Sequence, residues 1–230
     1  MVLKSYWKSL WAVLFPPLCV GCGETLLQHE ELLCISCEFH LPTHDFHLFP
    51  DNAAVSRLTN FVLVDRGLAY MSYSKSSIVQ SIIHQLKYKN QIDVAYYFGR
   101  LLGEQLQNAK PTVPFDYIVP IPLHPKKKRK RGYNQAAAIA EAIASVLKIP
   151  VSVDNLIRLK NTVSQTGLSD FNRLANVEKA FFCRNPLLFE GKHILLVDDV
   201  LTTGATIYGA AIALKEIEGL RISVATLALA

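Results

Sequence analysis

Between His193 and Thr206 the chain passes through an apolar run, two adjacent acids and a string of small and hydroxyl-bearing residues, and this segment limits the fold more than any other. Ile194, Leu195, Leu196 and Val197 read as a short strand buried on both faces, the habit of a parallel sheet covered by helices. Asp198 and Asp199 follow at its C-terminal end. Thr202, Thr203, Gly204, Ala205 and Thr206 then lead into a helix that carries Ile207. Such a loop turns main-chain N–H groups and hydroxyls toward one phosphate, aided by the positive end of the helix dipole. Gly204 allows the backbone to come close to the ligand.

The loop has neither the lysine of a nucleoside-triphosphate P-loop nor the Gly-x-Gly-x-x-Gly of a dinucleotide fold. Two carboxylates directly before a phosphate cradle suit the vicinal hydroxyls of a ribose attached to that phosphate. The plainer alternative is that the acids merely end a strand and Thr202 caps the helix.

A second constraint lies near the N-terminus, where Cys19-x-x-Cys22 and Cys34-x-x-Cys37 form two identical pairs. Two residues between thiolates let both sulfurs of a tight turn reach one metal. Two such knuckles close a tetrahedron and leave no position for water, so the site is expected to hold structural zinc, with iron as the alternative metal. Disulfides are the competing reading. The apolar run after Lys4 and Lys8 is broken by Pro16 and Pro17, has no small-residue cleavage pattern and places Leu18 before Cys19, so neither a signal peptide nor a lipoprotein cysteine is expected. A reduced, cytoplasmic setting without a membrane span follows as the expectation, and it disfavours lasting disulfides. Cys183 reads as a small buried hydrophobe.

Charge adds one localised feature. The chain has 24 Lys and Arg against 19 Asp and Glu, and Lys126, Lys127, Lys128, Arg129, Lys130 and Arg131 stand in a row. Without those six the acids outnumber the bases. The positive charge therefore points to a local anionic partner, a diphosphate or a nucleic-acid backbone, with a solvated surface loop as the alternative.

With half of its 230 positions apolar, the chain has material for one main core and a small satellite. The expected division is a cysteine module with its exit segment over residues 1–59 and a main domain over 60–230. A hairpin is expected around Asp65, Arg66 and Gly67, flanked by strands over 61–64 and 68–73. Ile78, Ile82, Ile83 and Leu86 recur at helical spacing before the basic turn of Lys87, Tyr88, Lys89 and Asn90, and Val94, Phe98, Leu101, Leu102 and Leu106 mark a second helix. Tyr117, Ile118 and Val119 form a strand, Ile139, Ile143, Val146 and Leu147 one face of a helix. Strands are expected over 151–159, more weakly over 180–183, and over 222–229 after a helix at 207–217. Alternation of this kind means an α/β domain with a mostly parallel sheet.

The run Val197, Asp198, Asp199, Val200, Leu201, Thr202, Thr203, Gly204, Ala205, Thr206 resembles the signature of type I phosphoribosyltransferases. The resemblance implies that fold, with Asp198 and Asp199 as catalytic acids on the ribose hydroxyls and Thr202, Thr203, Gly204, Ala205 and Thr206 on the 5-phosphate of 5-phosphoribosyl-1-diphosphate. It also implies magnesium bridging ribose and diphosphate while an acceptor amine attacks the anomeric carbon.

A narrower resemblance, to ComF proteins, rests on Leu14, Phe15, Pro16 and Pro17 before the cysteine pairs, on Leu86-Lys87-Tyr88, on the stretch from Val119 to Pro125, on Arg131-Gly132-Tyr133-Asn134-Gln135, and on Arg158, Thr162, Gln165 and Arg173. It implies a link to DNA uptake in natural competence, a diphosphate-binding loop over residues 122–135 that includes the basic run, and a lid over 162–173. With the last strand ending near Ala230, any hood over the acceptor is expected from the region before Pro111.

Two functions follow as expectations. One is a phosphoribosyltransferase, whose basic loop stabilises the departing diphosphate. The other is a non-catalytic protein that handles single-stranded DNA on the basic run while its zinc module docks competence machinery.

Overall fold

The computed structural model describes residues 16–59, 62–75, 77–88, 91–159 and 180–230. Lys89 and Asn90 of the expected basic turn, the residues Thr162, Gln165 and Arg173 of the expected lid, the expected start of the main domain at residue 60 and the apolar run before Pro16 lie outside the described residues.

Four strands form one parallel sheet: β1 (Gly67–Ser72), β2 (Tyr117–Pro120), β5 (His193–Leu201) and β6 (Arg221–Leu229), in the order β1-β6-β5-β2. Registers include Leu196 opposite Val224 and Val119 opposite Leu196. β5 sits inside the sheet, and Ile194, Leu195, Leu196 and Val197 are fully buried. Each such side chain contributes about 1.5 to 3 kcal/mol by leaving water. Leu195 and Val197 face one core, Ile194 and Leu196 the other, so the continuous apolar run reflects cover on both sides.

On the first face lie α3 (Ile78–Tyr88), α4 (Ile92–Gln107) and α6 (Gln135–Leu147). α4 and α6 approach closely because α4 presents Gly99. A Cβ there would stand 2.7 Å from Ala142 Cβ and 2.8 Å from the Ile139 carbonyl oxygen. The cysteine segment, with α1 (Ile35–Phe39), shares this core through Cys19, Val20, Leu26, Leu33 and Cys37. Gln85 of α3 donates to the Val20 carbonyl at 3.0 Å. The second face carries α2 (Ala53–Thr59), α7 (Ala205–Ile212) and the short 3-10 turn Pro186–Phe189. Beside it, β3 (Leu156–Arg158) and β4 (Phe181–Cys183) form an antiparallel ribbon. The remaining helix, α5 (Pro125–Arg131), follows β2.

Three expectations are corrected in detail. The hairpin around Asp65 does not form: residues 62–64 are not a strand, and β1 begins at Gly67, inside the supposed turn, to pair in parallel with β6. The apolar segment marked a strand there but not its partner. The strand expected over 151–159 shortens to Leu156–Arg158, with an isolated parallel bridge from Val151 to Ile118. The last helix runs over Ala205–Ile212, and turns carry the chain on to Ile217. Cys183 is buried, as expected. No helix among the described residues is long and apolar enough to cross a membrane.

Candidate functional site

β5 continues through Asp198 and Asp199 to Leu201, so both acids stand on the strand near its C-terminal end and not beyond it. The Asp199 N–H donates to Asp198 Oδ1 at 2.8 Å. Burial and the neighbouring charge of Asp199 push the Asp198 carboxyl up to about 7, against the opposing effect of the Asp199 N–H, Lys87 and Arg158. Two cations stand beside Asp199. Lys87 Nζ lies 3.2 Å from its Oδ2 and Arg131 Nη1 3.9 Å from the same oxygen.

The loop after β5 turns at Gly204, whose φ of +80° lies in the left-handed region that glycine adopts without strain. Gly204 caps α7, and Ala205 and Thr206 are its first helical residues, not loop residues. The Ala205 N–H donates to Thr203 Oγ1 at 3.5 Å, and the N–H groups of a first helical turn have no carbonyl partner within the helix, an arrangement suited to an anion. Beneath the loop, Arg57 of α2 donates to the Thr202 carbonyl at 2.8 Å and to the main-chain oxygen of Ala230.

The basic run is a helix and not a loop. His124 caps it by accepting the Lys126 N–H at 3.2 Å, Pro125 occupies its first position, and Gly132 ends it with φ +85°. Helical geometry divides the run. Lys127 and Arg131, one turn apart, are partly buried and turn inward, whereas Lys126, Lys128, Arg129 and Lys130 are exposed. Burial and the charges of Arg158, Arg131 and Lys87 hold the Lys127 ammonium below its ordinary value, opposed by Asp199. Arg131 also donates to Gln135 Oε1 at 3.0 Å and lies over the Tyr88 ring. Outside this face, a groove of about 800 Å3 is lined by Lys128, Arg129, Arg158 and Arg184 together with Leu123, Val153 and Ile157.

Sequence reasoning gave Lys87 no function beyond a basic turn and passed over Arg57. Lys87 lies in the Leu86-Lys87-Tyr88 stretch that resembles ComF proteins, but that stretch gave it no role, and Arg57 has no motif signal; what identifies their places is the carboxylate and the loop carbonyl they reach.

At the N-terminal end, the ligand atoms of Cys19, Cys22, Cys34 and Cys37 lie within 4.8 Å of one another. Cys22 and Cys34 sulfurs are 3.8 Å apart. A tetrahedral zinc with Zn–S of about 2.3 Å has an S···S edge of about 3.8 Å, so the donor set fits that metal. N–H groups point at the sulfurs: Gly21 and Cys34 donate to Cys19 at 3.4 and 3.3 Å, Cys37 to Cys34 at 3.5 Å. Burial acts to raise the Cys19 thiol, yet main-chain donors from Cys22, Cys34 and Gly21 bring it down to about 7. Gly21 is required by contact, since a Cβ would stand 2.9 Å from the Cys37 sulfur and from Ile78.

Comparison with known proteins agrees with this architecture. The phosphoribosyl transferase domain family matches residues 134–230. Competence protein F of Haemophilus influenzae is 34% identical over 131 residues, covering 55% of this chain and 57% of that protein. The DNA utilization protein YhgH of Escherichia coli is 32% identical over 129 residues, covering 55% and 56%. The chain thus matches a little over half the length of these two relatives. Competence protein ComFC of Bacillus subtilis is 28% identical over 205 residues, covering 83% of this chain and 81% of that protein.

Proposed function

We propose that this chain, which belongs to the ComF family and carries a phosphoribosyltransferase-type α/β domain, binds 5-phosphoribosyl-1-diphosphate or a related ribosyl phosphate at the C-terminal end of β5. The observation that carries the reading is the place of the acid pair. Asp198 and Asp199 stand between an anion cradle at the start of α7 and a group of cations, Lys87, Lys127 and Arg131.

Each part then has a use. First-turn N–H groups and the hydroxyls of Thr202, Thr203 and Thr206 receive the 5-phosphate. The carboxylates accept hydrogen bonds from the ribose hydroxyls and favour positive charge growing on the sugar ring. The inward cations Lys127 and Arg131 receive the diphosphate as the bond to the anomeric carbon breaks and an acceptor bonds to that carbon. Magnesium brought in with the diphosphate would supply further charge neutralisation, and Asp198 and Asp199 offer the oxygen donors suited to it. In this reading residues 1–59 form the zinc module with its exit segment and residues 60–230 the transferase domain, in a cytoplasmic protein linked to DNA uptake.

Calorimetry with 5-phosphoribosyl-1-diphosphate and magnesium tests the reading, followed by an assay for diphosphate release. Asp198→Asn with Asp199→Asn should weaken binding by tens-fold or more, at on the order of 1.5 to 3 kcal/mol for each charged hydrogen bond lost. A parent protein that binds no ribosyl phosphate ends the proposal.

One observation favours a second reading, a protein that handles single-stranded DNA without catalysis. Four cations of α5 are exposed, and two of them, Lys128 and Arg129, line a groove that also holds Arg158 and Arg184, more positive charge than one diphosphate needs. The zinc module would then dock a protein of the competence machinery.

A further inference from the structure

The exit segment of the cysteine module reaches the phosphate loop. Asn52 caps α2, accepting the N–H groups of Ala54 and Val55 at 2.9 and 3.2 Å, while its Nδ2 donates to the Gly67 carbonyl at 2.9 Å. The start of α2 is thereby fixed to the start of β1. Ala54 and Leu58 are buried against the sheet, which sets the rotation of the helix. Its last turn comes to lie under the loop: Leu58 Cδ2 would be 3.2 Å from a Cβ on Gly204, and Arg57 Nη1 holds the Thr202 carbonyl at 2.8 Å and the main-chain oxygen of Ala230. Ala230 in turn donates its N–H to the Leu201 carbonyl at 2.9 Å.

This geometry has a consequence at the next peptide. A trans peptide is planar, so its carbonyl and the following N–H point in opposite directions. Drawing the Thr202 carbonyl toward α2 turns the Thr203 N–H away from α2, to the side left open for a ligand. A charged donor on a carbonyl makes a stronger bond than a neutral one, and here it decides the orientation of a peptide that has no sheet partner beyond Leu201.

We propose that Arg57 is a positioning residue for the phosphate loop, which it holds with the Thr203 N–H directed at the 5-phosphate. Arg57 acts through the loop and does not touch the ligand. The proposal rests on the ribosyl-phosphate reading of the site.

Binding of three ligands separates the two. Ribose 5-phosphate and 5-phosphoribosyl-1-diphosphate both carry the 5-phosphate; inorganic diphosphate does not. In the full chain, Arg57→Met is expected to weaken the first two by about ten- to a hundred-fold and to change the third by less than twofold. Arg57→Lys, whose ammonium reaches the same carbonyl without the fork, should recover part of the loss. Equal loss of all three ligands overturns positioning in favour of general disruption of the site. Unchanged ribose 5-phosphate affinity in Arg57→Met overturns it as well. Should Arg57→Met not fold, the same comparison is made on Arg57→Lys, where a selective loss supports the proposal and parent-like affinity overturns it. If the unaltered protein binds neither phosphosugar, the ribosyl-phosphate reading has failed and the role of Arg57 falls with it, an outcome seen in the parent alone.

Discussion

Lys87 Nζ lies 3.2 Å from Asp199 Oδ2, joining the last turn of α3 to the C-terminal end of β5. The side chains are only 22% and 13% exposed, so the pair is shielded from solvent more than a surface ion pair is. The contact places a cation beside the acid pair, while burial and the neighbouring Asp199 charge push the Asp198 carboxyl up to about 7.

Removing the cation leaves a partly buried carboxylate with one remote partner. Lys87→Met is expected to cost about 1 to 3 kcal/mol of unfolding free energy, measured in urea. A double-mutant cycle with Asp199→Asn should return a coupling of about 0.5 to 2 kcal/mol. Additive single effects would show that the two side chains do not interact.

Asp198 makes stability depend on pH, with a definite sign. In the unfolded chain its proton leaves near the ordinary value of 3.8, in the folded protein at about 7. Between the two the folded state binds more protons, so this residue lowers stability as pH rises from about 4 to 7. Asp198→Asn removes the effect. The variant should be more stable than the parent at pH 8 by roughly 1 to 3 kcal/mol, and the gap should shrink toward pH 4. A gap of constant size across that range contradicts the assignment.

One zinc per chain is expected in protein purified without chelator. Cys19 and Cys37 are 0% and 4% exposed and belong to the same core as α3 and α4, so losing the metal opens the main core and not an appendage. Chelation, or Cys22→Ser at the exposed ligand, should lower the melting temperature by about 10 °C or more. Unaltered melting with less than a tenth of an equivalent of metal would count against the site.

The division of the basic helix separates the two proposed functions. Changing Lys126, Lys128, Arg129 and Lys130 to Ser should reduce the salt dependence of single-stranded DNA binding by a slope of about 3, at roughly 0.7 per phosphate contact, and leave ribosyl-phosphate binding intact. Changing Lys127 and Arg131 to Gln should do the reverse, weakening ribosyl diphosphate by about tenfold or more. If both sets alter both ligands equally, the helix has no functional sidedness.

Much of this was legible in the chain. The apolar run before Asp198 declared a strand covered on both faces, because no half-exposed strand is apolar at four consecutive positions. Gly204 and its neighbours declared a tight turn into a helix, and two Cys-x-x-Cys pairs declared a cysteine cluster that could hold a metal, because local geometry alone brings the two thiols of each pair together. The supposed hairpin at Asp65 went wrong for the complementary reason: a local apolar segment identifies a strand but not what it pairs with, and β1 pairs with β6, remote in sequence.

What the sequence determined by itself was therefore the local chemistry: which residues could cradle phosphate, which could hold zinc, and where positive charge is concentrated. Tertiary structure alone decided how those pieces meet. Six consecutive cations look equivalent in one dimension, yet a helix rotates about 100° per residue, so Lys127 and Arg131 turn toward Asp199 while their neighbours face solvent. Lys87 and Arg57 acquire their places only because the packing of α3 and α2 on opposite faces of the sheet carries them to Asp199 and to Thr202, contacts between segments remote in sequence that no local pattern encodes.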